Sequence, residues 1–254
     1  MSGEDGITRI GWAREDRAHD TLVKSLARRV VIEGASWDID DHLDNMWIWA
    51  GPGGEPEFKL TSDPKLLGLG DRPLRLNKIA GQPALPEAMF YRKLLLAFDQ
   101  ASPRPALVIF GRDGDRRASE RRSGFEQVVT GLKWPFTAIL AMPEPESEAW
   151  FVAGFTAKTK DEDARLGRVR ESLNFDPVTQ PHRLTSQPAT ADTDAKRVLA
   201  ALVGDGHDRR DACLETELDT LAQNGAHAGL ARLLDELREH LLPLLDPSAR
   251  PTRP

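Results

Sequence analysis

Two apolar runs constrain this chain more than any other feature: ALVIF, continuous over residues 106–110, and FTAILAM at 136–142, which reads as a second buried strand. A strand with one wet face alternates polar and apolar side chains. A strand that is apolar at every position has both faces covered, as in the centre of a parallel sheet. Pro105 and Gly111 bound the first run and hold it to strand length. ITRIGWA at 7–13 and MWIW at 46–49 read as two further strands. Between the strands the spacing turns helical. Ala18, Leu22, Leu26 and Val30 keep a 3.6-residue period within 16–30. Residues 85–100 and 119–131 read as helices too, and 146–155 opens another. The order β-α-β-α-β-α-β-α predicts an α/β fold, a mostly parallel sheet with helices on both faces.

From residue 158 the pattern changes. Residues 168–181 and 188–194 are polar, and helical patterns return at 196–203, 213–223 and 228–245. The last places Leu230, Leu233, Leu234, Leu237 and Leu241 on one stripe. The expected organisation is an α/β core over 1–157, a helical extension packed on it over 158–245, and a disordered tail over 246–254 rich in Arg, Asp and Pro. Residues 61–86 read as loop, and the acidic stretch 38–44 as a solvated loop.

A net charge of -6 gives no general attraction to nucleic acid, so a phosphate backbone would need a local basic patch. A single cysteine, Cys213, excludes an internal disulfide and fits a reducing compartment. No apolar run approaches the roughly 18 residues that span a bilayer. The expectation is a cytoplasmic protein with no membrane partner.

Three acidic clusters follow directly on expected strands: Glu15 after the first, Asp113 and Asp115 after ALVIFG, Glu146 and Glu148 after FTAILAMP. In a parallel sheet the carboxyl ends of the strands share one edge, and ligands bind in the crevice there. Each cluster alone has an ordinary explanation. Asp-Gly-Asp is a common turn, and acids suit the first turn of a helix. The coincidence of three is what points to a cation. Two carboxylates about 4 Å apart repel by roughly 4 kcal/mol at an effective dielectric near 20, so either one takes a proton or a cation lies between them. An all-carboxylate set suits Mg²⁺ or Mn²⁺. Gly114 would let the chain turn so that both aspartates face one point. His19, His42, His182 and His207 show no spacing that supports a catalytic triad.

The strand-end Glu and the later Asp-x-Asp resemble the TOPRIM family, with Glu15 matching the first motif and Asp113 and Asp115 the second. The segment Glu146-Ser147-Glu148-Ala149-Trp150 further resembles the Glu-x-Glu-Ala-Trp opening of a helix in the bacterial group described as DUF4276. The chain departs from the family in reading Arg14-Glu15-Asp16-Arg17 where a Glu-Gly pair is usual. The resemblance covers roughly residues 7–245. It implies phosphodiester chemistry: a divalent-metal-dependent nuclease, in a phage-defence or DNA-processing setting, acting on DNA or RNA. Glu15, Asp113, Asp115 and Glu148 would be metal ligands. The same four acids and Glu146 would be catalytic, with Glu146 and Glu148 holding a second ion or orienting water. Arg14, Arg17, Arg112, Arg116 and Arg117 flank these acids and would hold the phosphate backbone. The alternative is a non-catalytic TOPRIM-like subunit that binds a partner such as an ATPase. The protein partners admitted are that ATPase and a second copy of the chain.

Overall fold

The computed structural model describes residues 6–56, 58–60, 76–204 and 207–249. Strand β1 (Thr8–Arg14) leads through α1 (Ala18–Gly34) and α2 (Asp40–Met46) to β2 (Trp47–Ala50). A small antiparallel hairpin, β3 (Lys78–Ile79) with β4 (Gln82–Pro83), precedes α3 (Pro86–Asp99). Then follow β5 (Leu107–Gly111), α4 (Ala118–Gly131), β6 (Thr137–Ala141) and α5 (Ser147–Ala153). The four long strands form one wholly parallel sheet of order β2-β1-β5-β6. The expected α/β architecture is therefore the observed one.

Both apolar runs lie in the middle and at one side of this sheet, and every residue of β5 is buried. Ile10 and Trp12, Leu107 and Ile109, Ile139 and Ala141 point to one face, where α1, α5 and the C-terminal helices cover them. Ala13, Val108, Phe110 and Leu140 point to the other, under α3 and α4. This is the period-2 alternation of a pleated strand with two apolar sides. The connection leaving β1 and the one leaving β5 therefore cross opposite faces. That reversal between adjacent strands is a topological switch point, and it opens a crevice at their carboxyl ends.

The extension runs α6 (Lys160–Leu173), α7 (Ala195–Val203), α8 (His207–Asp211), α9 (Leu218–Asn224), α10 (Leu230–Glu236), a π-helical turn (Leu237–Leu241) and α11 (Leu242–Leu245). The five leucines of the stripe expected in 228–245 are fully buried in the same core cluster as α1. Burying each such side chain contributes about 1.5–3 kcal/mol, so the extension is part of one core. Among the described residues no helix is long and apolar enough to cross a membrane.

Four expectations are corrected. The first helix of the extension, α6, covers part of a segment taken as polar. Its signal is the capping box, in which Thr159 Oγ1 accepts from the Glu162 amide while the Glu162 carboxylate accepts from the Thr159 amide. The acidic stretch 38–44 is mostly helix, because Arg28 neutralises Asp40 and Asp44 of α2 at 2.6 and 2.7 Å. Cys213 lies in a short 3₁₀ turn (Ala212–Glu215) rather than one helix over 213–223. The tail is ordered at least to residue 249, since Asp246 Oδ2 accepts from the Ser36 amide and hydroxyl, both at 2.7 Å. Within the expected loop 61–86, residues 61–75 lie outside the described residues, as do 250–254 of the tail.

Candidate functional site

The strand ladders carry the acids to one place. The Glu15 amide donates to Gly111 O (2.8 Å) and the Arg112 amide to Ala141 O (3.0 Å), extending the register by one residue past each strand. Beyond β5 the turn is anchored on the segment after β6, with the Gly114 amide on Pro143 O (2.8 Å) and the Asp115 amide on Pro145 O (2.6 Å). Gly114 serves this close approach. A Cβ there would lie 2.9 Å from Glu144 Cγ and 3.0 Å from Pro143 O. The left-handed residue of the turn is Asp115 itself (φ 48°), a conformation Asp tolerates better than most. The turn expected at Gly114 thus falls one residue later.

Asp113 is the hub. Its Oδ1 accepts from the Ser147 amide at the start of α5 (2.8 Å) and lies 3.3 Å from His19 Nε2. His19, from the first turn of α1, is completely buried, and its Nδ1 pairs with Asp16 Oδ1 at 2.9 Å. Arg121 of α4, also buried, bonds the Asp113 carbonyl, lies 3.0 Å from Asp115 Oδ2 and reaches 4.0 Å from Glu15 Oε2. On the other side Glu146 and Glu148 are buried at the head of α5. Lys196 of α7 reaches over to Glu146 Oε2 at 3.1 Å while remaining 65% exposed itself. Ser147 Oγ donates to Glu148 Oε2 at 3.1 Å.

The five predicted arginines divide. Arg14 is fully buried, 2.8 Å from Asp20. Arg112 pairs with buried Glu87 at 2.6 Å and lies over the Phe90 ring. Both brace the fold. Arg17 and Arg116 are exposed, and Arg117 is half-exposed although it reaches Glu87 at 3.0 Å. These three face solvent near the acids.

Electrostatics follows from this packing. Burial pushes the Glu15 carboxyl up, Arg121 pulls it down, and Asp113 pushes it up again. Burial, then the Glu148 charge, raise Glu146 to about 7 despite Lys196. For His19, burial opposes the charge, but the hydrogen bonds and charges of Asp113 and Asp16 outweigh it and lift the ring to about 9. The hydrogen bond from His19 lowers Asp16 to about 2.

A raised histidine value gives stability that is complete below about 6.5 and is lost as pH climbs through about 9. Glu146 acts in the same direction at lower pH, its contribution fading between about 4.5 and 7. In EDTA the melting temperature should therefore fall steadily from pH 5 to pH 10. His19→Gln should flatten the upper half of that curve, where the ring contributes about 3 kcal/mol by its shift. A wild-type curve flat between pH 7 and 10 would refute this account of His19.

The site's fit to a divalent ion is mixed. The donors are carboxylate oxygens, and two of them, Glu15 Oε2 and Glu146 Oε1, are buried without a hydrogen-bond partner. That chemistry suits a hard cation. Yet among the described residues no three of His, Cys, Asp and Glu are gathered as a ready ligand set. The positive charges between the acids are side chains: His19, Arg121 and Lys196. Arg121 is held on the Asp113 carbonyl, whereas Lys196 is long and exposed and can leave. Glu146 is thus easier to release than Asp115. Nothing in the sequence marks any of these three as the partner of an acid. Lys196 and Arg121 carry no motif, and His19 gains its meaning only from a contact 94 residues away.

Compared with protein-family models, with curated proteins and with solved structures, the chain matches none.

Proposed function

We propose that the acidic edge binds Mg²⁺ or Mn²⁺ and hydrolyses nucleic-acid phosphodiesters. The observation that carries this reading is that Glu15, Asp113, Glu146 and Glu148 lie along one sheet edge and act on one another's charge, with two buried carboxylate oxygens that lack a hydrogen-bond partner. Asp113, Glu15 and Glu148 would hold the ion, with Asp115 joining if Arg121 shifts. A divalent ion in such a site neutralises the scissile phosphate and lowers the pKa of its water. Glu146 Oε1 takes a proton from the attacking water, a task suited to a carboxyl whose value lies near 7. Arg17, Arg116 and Arg117, facing solvent beside the acids, meet the backbone phosphates on either side. The resemblance to the TOPRIM family supports the same chemistry.

A second reading is favoured by one feature, the neutralisation of the acids by His19, Arg121 and Lys196. On it the chain is a non-catalytic subunit for a partner such as an ATPase. The deciding experiment is cleavage of labelled DNA and RNA strands with Mg²⁺, with Mn²⁺ and with EDTA. Divalent-dependent cleavage supports the nuclease; cleavage equal in EDTA, or none with either ion, removes it.

A further inference from the structure

On the extension, α6 and α7 enclose a second cleft of about 320 Å³, within the range of small-ligand pockets. Arg165 and Arg168, one turn apart on α6, and Arg197 on α7 line it. The chain carries -6 overall, so three guanidiniums at one cleft reverse the local sign. The carboxylate beside them is Asp192, 3.6 Å from Arg197 Nη2. Arg168 is exposed and makes no ion pair or hydrogen bond among the described residues.

Arg165 is scarcely better neutralised. Its nearest carboxylate, Glu162, stands 3.8 Å away and is already bonded to Arg209 and to the amides of Lys158 and Thr159. Arg165 Nε is buried with no hydrogen-bond partner. Leu173 and Val198 give the cleft an aliphatic wall, and Ser172 adds a hydroxyl. Guanidinium forks match phosphate oxygens in pairs, and the aliphatic wall matches the flat face of a base or sugar.

We propose that this cleft binds a nucleotide, its phosphate on Arg165, Arg168 and Arg197 and its base or sugar against Leu173 and Val198. The site is independent of cation binding at the acidic edge, although adjacent residues of α7 serve the two places, Lys196 one and Arg197 the other. The nucleotide is either free or one unit of a strand, and the phosphate chemistry is common to both.

The test is titration of the full chain in EDTA with ADP and with a short 5′-phosphorylated single strand, followed by calorimetry. Both probes should bind, and inorganic phosphate should compete. Arg168→Glu and Arg165→Gln should each weaken binding about tenfold or more, with Arg168→Glu leaving the melting temperature unchanged. Asp113→Asn should leave ADP binding intact. A strand that binds about tenfold tighter than ADP identifies a unit of nucleic acid as the ligand; equal affinity identifies the free nucleotide. Failure of both probes to bind overturns the proposal, as does unaltered affinity in Arg168→Glu or loss of ADP binding in Asp113→Asn.

Discussion

Asp113→Asn should lower divalent-dependent cleavage by roughly 10³-fold while the fold persists. Asp113 has two separable roles. Its Oδ1 receives the Ser147 amide and so fixes the start of α5, and its charge faces His19 and bears on Glu15 and Glu146. Asparagine keeps an acceptor oxygen and removes the charge. Asp113→Ala is the poorer test. It leaves the Ser147 amide without its acceptor and the buried His19 ring with Asp16 alone, a combined cost of about 2–4 kcal/mol. The assay is single-turnover cleavage with melting followed in parallel. Cleavage by Asp113→Asn at the wild-type rate would remove the acidic edge from the mechanism.

The second large effect is on stability. Trp150→Ala should destabilise the chain by about 3–5 kcal/mol, lowering its melting temperature by roughly 10 °C. Trp150 is fully buried in the cluster that unites α1, α5 and the extension, and its Nε1 donates to Ala228 O at 2.6 Å. Its removal opens a cavity where the core and the extension meet and takes one of two donors from the Ala228 carbonyl, which keeps the Glu144 amide at 3.0 Å. Trp150→Phe keeps most of the volume and should cost about half as much. Chemical denaturation measures both. A loss below about 1 kcal/mol for Trp150→Ala would mean that the extension is not held through α5.

Much of this was legible in the sequence because strand periodicity and strand ends obey local rules. ALVIF is buried along its whole length in the middle of the parallel sheet and FTAILAM over its second half at the sheet's edge, and that sheet places Glu15, Asp113 and Glu146 at one end. What was not legible depends on contacts between distant residues. Nothing in the spacing sets Arg121 apart from the arginines around it, yet it is buried against Asp115 and the Asp113 carbonyl. In the sequence Arg14 and Arg112 flank the acids as phosphate contacts would. Asp20 and Glu87, which hold them, lie on helices whose packing no spacing reveals. The α6 capping box at Thr159 and Glu162 was in plain view, and a polar sequence alone hid that helix.

The central claim, a divalent-ion site at the acidic edge, is tested most directly by calorimetric titration of Mn²⁺ into the EDTA-treated and dialysed chain. At pH 8 the account predicts saturable binding that Asp113→Asn weakens about tenfold or more. At pH 6 binding should also weaken, since Glu146, with its value raised to about 7, is then largely protonated and its negative charge no longer helps to draw the ion to the edge. Absence of Mn²⁺ binding at pH 8, or equal affinity in wild type and Asp113→Asn, would contradict it.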